Sequence, residues 1–203
     1  IVKKAFHIAT TGRKGPVVID IPKDFTDPEY KFEFNYPPEV NMRSYNPPKG
    51  ADTSKIKEAA DLIATAKKPV IYSGGGVNQN NASEELTALA KLLNFPVTNT
   101  LMGLGAFPGS DSQFMGMLGM HGTYQANMAM HNADLIIAVG ARFDDRITND
   151  PKQFALNAKK IHIDVDPASV SKIIHADVPI VGSAKESLTA LIEELKSRDL
   201  KTN

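Results

Sequence analysis

Cysteine is absent from the chain. That excludes a disulfide framework, a thiolate zinc site and a thiol nucleophile together. Tryptophan is absent too, and there are only 5 tyrosines, so a bound chromophore would stand out against a low protein background. An excess of either charge is missing, since 23 Lys and Arg balance 23 Asp and Glu. Nothing in that balance points to nucleic acid or to an anionic membrane surface. No apolar run approaches the ~20 residues of a membrane span, and no secretory signal pattern is read. A cytoplasmic location is therefore expected. No spacing of His, Asp and Glu suits a metal, and no Ser-His-Asp arrangement appears. His7, His131, His162 and His175 have no acid or nucleophile patterned around them.

What is present is the composition of an ordinary globular protein, 203 residues with 42% hydrophobic and 23% charged. Ile1 to Thr11 has helical spacing, so the chain reads as a piece of something longer. Val17 to Ile21 reads as a buried strand closed by Pro22. Pro28, Pro37, Pro38, Pro47 and Pro48 then mark residues 26–50 as a partly extended linker. From Ala51 the pattern is regular. Ile56, Ala59, Ala60 and Ile63 give one helical face, as do Leu86, Leu89, Ala90 and Leu93, and later Leu188, Leu191, Ile192 and Leu195. Short apolar runs alternate with these helices at Pro69–Ser73, Pro96–Thr100, Leu135–Val139, Lys160–Val165 and Val178–Val181. Residues 103–122 read as a glycine- and methionine-rich loop, residues 124–131 as a helix, and Ser183 with Glu186 as a capping box. The alternation predicts an α/β domain over residues 51–198, a doubly wound parallel sheet, behind a helix–strand piece over residues 1–25.

In such a sheet ligands bind outside the carboxyl ends of the strands. The chemistry-bearing residues of this chain fall there. Leu135–Val139 runs into Gly140-Ala141-Arg142-Phe143-Asp144-Asp145-Arg146. The arginines offer forked donors for phosphate or carboxylate, and the aspartates can accept from a ribose, a ring N–H or those arginines. A solvated turn held by local Arg–Asp pairs is the plainer reading of the same residues. Gly74-Gly75-Gly76 follows the first strand and would let a pyrophosphate approach main-chain N–H groups. The strict dinucleotide fingerprint is absent, because Gln79 stands at its third glycine. Thr100-Leu101-Met102 follows the second strand. Asp164 and Asp166, around Val165, could take a ribose hydroxyl or form an Asx turn before Pro167. In the long loop, Leu118-Gly119-Met120-His121 offers adaptable apolar groups and a ring N–H. The residues alone describe a nucleotide-type cofactor domain with no recognisable catalytic set.

Taken together, Gly12 to Val17 with Asp20 to Asp24, Ser73 to Gly76, Thr100 to Gly103, Gly116 to Gly122, Val139 to Arg146 and Ile163 to Asp166 resemble the large, catalytic subunit of acetolactate synthase. That family consists of thiamine-diphosphate enzymes of branched-chain amino acid biosynthesis. The resemblance covers essentially the whole chain. It implies the central domain of such a subunit, preceded by the tail of its pyrimidine-binding domain, with FAD lying across the carboxyl edge in a structural, non-redox role. By motif match it implies FAD contacts from Arg13, Gly74, Gly75, Gly76, Thr100, Leu101, Met102, Leu118, Gly119, Met120, His121, Gly140, Ala141, Arg142, Asp144, Arg146, Asp164, Val165, Asp166, Asp177 and Val178. Lys23, Asp145 and Arg146 resemble residues lining the substrate channel. The motifs that activate thiamine diphosphate and hold it with Mg²⁺ are expected upstream of Ile1 and downstream of Asn203. The complete enzyme would condense pyruvate with a second 2-ketoacid, as a homodimer or tetramer with a regulatory small subunit, while these 203 residues alone would be silent. Two other readings remain open: a packing module with an empty crevice, and the nucleotide domain of another flavin carboligase or of an NAD-type protein.

Overall fold

The computed structural model describes residues 1–48 and 50–198. It divides the chain into two compact units, Ile1–Pro47 and a second beginning at Pro48.

In the first unit, helix α1 spans Val2–Thr10, as its spacing predicts. The proline-rich stretch returns to it. Lys3 Nζ donates to the carbonyls of Pro37 (2.6 Å) and Pro38 (2.8 Å). The Tyr45 hydroxyl donates to Thr11 O at 2.8 Å, with the Tyr45 ring set edge-on to His7. Val17 to Ile21 forms no strand, against expectation. A strand needs a ladder partner, and none pairs with it among the described residues; Val18 is 91% exposed.

The second unit runs α2 (Thr53–Thr65), β1 (Pro69–Ser73), α3 (Gly75–Gln79), α4 (Ser83–Leu93), β2 (Val97–Asn99), a 3₁₀ turn (Leu101–Gly103), β3 (Phe114–Met117), α5 (Tyr124–Asn132), β4 (Leu135–Val139), α6 (Asp145–Thr148), β5 (Lys159–Asp164), β6 (Val178–Val181) and α7 (Ala184–Ser197). The six strands form one sheet in the order β3-β2-β1-β4-β5-β6, and every pairing is parallel. The chain winds outward from β1 in one direction and from β4 in the other. The strand order therefore reverses between β1 and β4, and at such a switch point the loops on the carboxyl side part to leave a crevice.

Alternation along the strands separates two cores. Ile71, Val97, Ile137, Val139, Ile161, Ile163 and Ile180 face α2, α4 and α7. Val70, Tyr72, Ile136 and Ala138 face the other way, toward Met130 of α5 and toward Phe143, Ala155, Ala158 and Ile174 of the loops. Both faces are covered, which is why apolar residues of the strands point to both sides of the sheet.

Two local expectations fail. Residues 103–122 contain the edge strand β3, which pairs with β2 across a register shift. Ser183 does stand before α7, but its side chain makes no cap. The Glu186 carboxylate instead accepts the Gly50 N–H at 2.7 Å, so the capping box is not formed.

Candidate functional site

Four loops meet at the carboxyl edge, and they are joined by backbone. Gly74 N–H donates to Val139 O (2.9 Å), Gly76 N–H to Gly140 O (3.0 Å), and Gly140 N–H to Ile163 O (2.8 Å). A Cβ on Gly76 would stand 2.7 Å from Gly140 Cα, and one on Gly74 would stand 2.6 Å from Ala141 Cα. Glycine is required here because one loop backbone lies against another. Two N–H groups of the triple glycine are thus already engaged within the protein, where the sequence suggested they were open to a pyrophosphate. The Thr100–Met102 turn closes on the same loops. Thr100 caps it by accepting Gly103 N–H at 2.9 Å, and a Cβ on Gly75 would meet Met102 Cβ at 3.0 Å. Leu118 N–H donates to Asn99 O and Met120 N–H to Arg146 O, which brings Leu118 to His121 beside the Arg-Asp loop.

The sheet brings Gly74 to Gly76, Thr100 to Met102, Leu118 to His121 and Gly140 to Arg146 together. Asp164 ends β5 beside them, followed by Val165 and Asp166. What this edge presents outward is mixed. Leu101, Met102 and Met120 are exposed apolar groups. Arg142 and Asp144 form an exposed pair at 2.8 Å, and Asp145 lies 3.6 Å from Arg146. The plainer reading of the loop, local Arg–Asp pairing, is therefore also present. Asp164 Oδ1 accepts Asp166 N–H at 2.8 Å, and Asp166 in turn accepts from Ala168 N–H and the Ser169 hydroxyl, as in the Asx-turn reading.

Asp177 and Val178 lie apart from this group. They stand at the amino end of β6, where the Asp177 carboxylate accepts from Lys159 Nζ (2.8 Å) and Lys160 N–H (2.9 Å). Burial would raise the Asp177 carboxyl, but these two donors outweigh it and hold it below the ordinary carboxylate range. The carboxyl end of β6 is Gly182 and Ser183. Applying the strand-end rule to the last strand would have selected those two. Arg13 and Lys23 belong to the first unit, where both are exposed, Lys23 at the start of a 3₁₀ turn (Lys23–Thr26).

Beneath the Arg-Asp loop is a buried aromatic layer that the sequence did not signal. Tyr72, Ala138 and His162 occupy one row across β1, β4 and β5. The ring of Phe143 packs 5.7 Å from that of Tyr72 and 5.3 Å from that of His162. The Tyr72 hydroxyl donates to Arg142 O at 3.3 Å. His162, 1% exposed, has Nε2 2.9 Å from Ala141 O. A carbonyl can only accept, so Nε2 carries the proton. Burial pushes the Tyr72 phenol up, with the Asp144 charge adding to it, so its O–H remains a donor.

Burial also lowers the pKa of His162 below the ordinary 6.5, against smaller opposing effects of Asp164 and the Ala141 carbonyl. The unfolded chain therefore binds more protons than the folded one below pH 6.5. The stability this neutral ring contributes is complete above 6.5 and is lost as pH falls toward the folded value. Urea unfolding of the wild type and His162→Gln between pH 7.5 and 5 should show a shallower decline in the variant. Parallel declines would contradict this.

The sequence of residues 56–191 matches the model of the thiamine pyrophosphate enzyme central domain, more than half of the chain. The chain belongs to the thiamine pyrophosphate enzyme family. Within it, the chain is 54% identical over 196 residues to an acetolactate synthase large subunit of Buchnera aphidicola, covering 97% of this chain and 34% of that protein. Identity to the Haemophilus influenzae acetolactate synthase large subunit is 51% over 201 residues, 99% of this chain and 35% of that one. For the large subunit of acetolactate synthase isozyme 3 from Escherichia coli it is 51% over 195 residues, 96% and 34%. The chain spans about a third of the length of these relatives. In this central domain, no described helix is long and apolar enough to cross a membrane, and no group of His, Asp and Glu among the described residues could hold a metal ion.

Proposed function

We propose that this chain is the central region of an acetolactate synthase large subunit, and that its carboxyl edge holds FAD. The observation that supports this most strongly is the placement of Gly140 to Arg146 beside the β1/β4 reversal, in a chain about half identical to such subunits over almost all its length. The donor set suits the cofactor. Arg142 and Arg146 supply charge for a diphosphate. Leu101, Met102 and Met120 supply exposed apolar surface for a flat ring. His121, Asp144 and Asp164 supply polar atoms for its hydroxyls and ring edges. Since the N–H groups of Gly74, Gly76 and Gly140 are bonded within the protein, neutralising the diphosphate falls to the arginine side chains. Bound there, FAD would act as a structural element rather than a redox carrier, as the resemblance implies. Lys23, Asp145 and Arg146 are proposed to line the path of substrate, and Arg13 is proposed to add to the cofactor site.

Residues 1–25 are proposed to belong to the pyrimidine-binding domain, with 26–50 connecting them to the FAD domain. Thiamine diphosphate and Mg²⁺ would be held by parts of the subunit corresponding to the two-thirds of the relatives outside this match. The full protein would be cytoplasmic, assembled as a homodimer or tetramer, with a regulatory small subunit consistent with relatives that are themselves called large subunits. Given pyruvate, thiamine diphosphate, Mg²⁺ and FAD, the full-length protein should form acetolactate, and residues 1–203 alone should form none. Product from the 203 residues would move the catalytic groups into this chain. None from the full-length protein would remove the assignment. A second reading, a packing module whose crevice holds nothing, draws on the Arg142–Asp144 pair and the self-bonded Asp166.

A further inference from the structure

Near the carboxyl ends of the central strands, one row of side chains is largely polar. Thr98, Tyr72, Ala138 and His162 stand side by side on β2, β1, β4 and β5. The three polar members each bond a main-chain carbonyl, that of edge strand β3 for Thr98 and those of the Arg-Asp loop for Tyr72 and His162. The Thr98 hydroxyl donates to Gly116 O at 2.9 Å, the Tyr72 hydroxyl to Arg142 O, and His162 Nε2–H to Ala141 O. The fourth member is alanine, and Phe143 packs against the rings on either side of it. Buried polar side chains cost free energy unless hydrogen-bonded. Their acceptors are main-chain carbonyls, so an apolar group in place of any one of them would leave a carbonyl without its donor.

We infer that His162, with Tyr72, is a positioning residue for the Arg142–Arg146 array. These two side chains fix the carbonyls of two successive residues, and Phe143, the third, is packed between their rings. With Ala141 O, Arg142 O and the Phe143 ring all held, the backbone from which Arg142, Asp144, Asp145 and Arg146 project has little freedom. Those four side chains are exposed, and long exposed arginines lose much rotamer entropy on binding. Fixing their backbone beforehand leaves only the side-chain part of that loss. His162 touches no ligand itself. Its effect on binding passes through the Ala141 carbonyl and Phe143.

This rests on the FAD reading for its effect on affinity but not for its effect on the loop, and the test separates the two. In full-length protein, His162→Phe keeps a ring beside Phe143 and removes the donor. His162→Gln returns an N–H at similar reach. Hydrogen exchange without FAD, followed at Ile147, Thr148 and Asn149, whose N–H groups bond Asp144 O and Asp145 O, reports the loop directly. His162→Phe should speed that exchange about tenfold, the equivalent of one lost hydrogen bond, leaving α2 and α7 unchanged, and should weaken FAD binding by about the same factor. His162→Gln should restore most of both. Wild-type exchange in His162→Phe, or equal loss in the Phe and Gln variants, would overturn the inference, the second because filling rather than donation would then be what matters. If the wild type takes up no FAD, the cofactor reading falls and exchange still decides the positioning role. Should His162→Phe fail to fold, Tyr72→Phe, which removes one oxygen from the Arg142 contact, should still speed exchange in the loop. No change there would overturn the inference equally.

Discussion

Gly140→Ala is expected to destabilise the protein by about 2–5 kcal/mol, combining the cost of a left-handed backbone for a residue with a Cβ and that of overpacking. Gly140 has φ +55°, and its Cβ would stand 2.6 Å from Gly76 Cα, 2.8 Å from Gly76 C and 2.9 Å from Val77 N. All three are backbone atoms, so no side-chain rotation relieves the clash. Relief would require the β1 and β4 loops to separate, breaking the Gly76 N–H to Gly140 O bond. Against a typical total of about 5–15 kcal/mol, the loss is severe. Gly105→Ala is the control. It shares a positive φ of +88°, but nothing lies within 4 Å of its Cβ, so it should lose only the backbone part, about 1–2 kcal/mol. Urea midpoints at constant slope give both values. Equal losses at the two positions would mean that the loops yield without cost and that their close approach is not what requires glycine.

Arg142→Ala should weaken FAD binding by about ten- to more than a hundredfold, the worth of a charge-assisted hydrogen bond of roughly 1.5–3 kcal/mol. Its guanidinium is exposed at the carboxyl edge and is oriented by Asp144 at 2.8 Å, on backbone secured by Tyr72 and His162. Arg142→Lys should recover only part of the loss, because a point charge cannot reproduce the fork. Asp145→Ala should have little effect, since that residue is assigned to the substrate path. Flavin-fluorescence titration of the full-length variants gives the comparison. Equal losses at Arg142 and Asp145, or none at Arg142, would reverse which side of the loop meets the cofactor.

Most of the architecture of the second unit was legible because each element is short, strongly patterned and bounded by glycine or proline. Val178–Val181 and Pro69–Ser73 were read to the residue. β3 was hidden because Phe-Met-Gly-Met shows no apolar–polar alternation, and an edge strand with a shifted register needs none. Val17 to Ile21 misled for the converse reason. Its apolar pattern fits a buried strand, but a pattern specifies which face would be buried and cannot supply a partner. The capping box failed because Glu186 has a competing donor in Gly50, 136 positions away in sequence.

The loop constellation at the carboxyl edge was legible from a single topological rule applied strand by strand. Asp177 and Val178 were the exception, chosen by motif match although they stand at the amino end of β6 rather than after its carboxyl end. The reason for the glycines was not legible. Gly74 and Gly76 meet Gly140 across more than sixty positions, so a local reading could only assign them to a ligand. His162 was passed over because nothing nearby in sequence marks it. Its partners, Ala141 and Phe143, become neighbours only when β4 and β5 pair.

The most direct test of the central claim is the flavin content of the full-length protein, purified and then dialysed against excess FAD. The visible flavin bands of the bound fraction lie where amino-acid side chains do not absorb, so they are easily quantified against protein. The account predicts close to one FAD retained per chain, released on unfolding with an unaltered oxidised spectrum. A folded protein that retains no flavin at saturating FAD would contradict it and leave the carboxyl edge a packing surface.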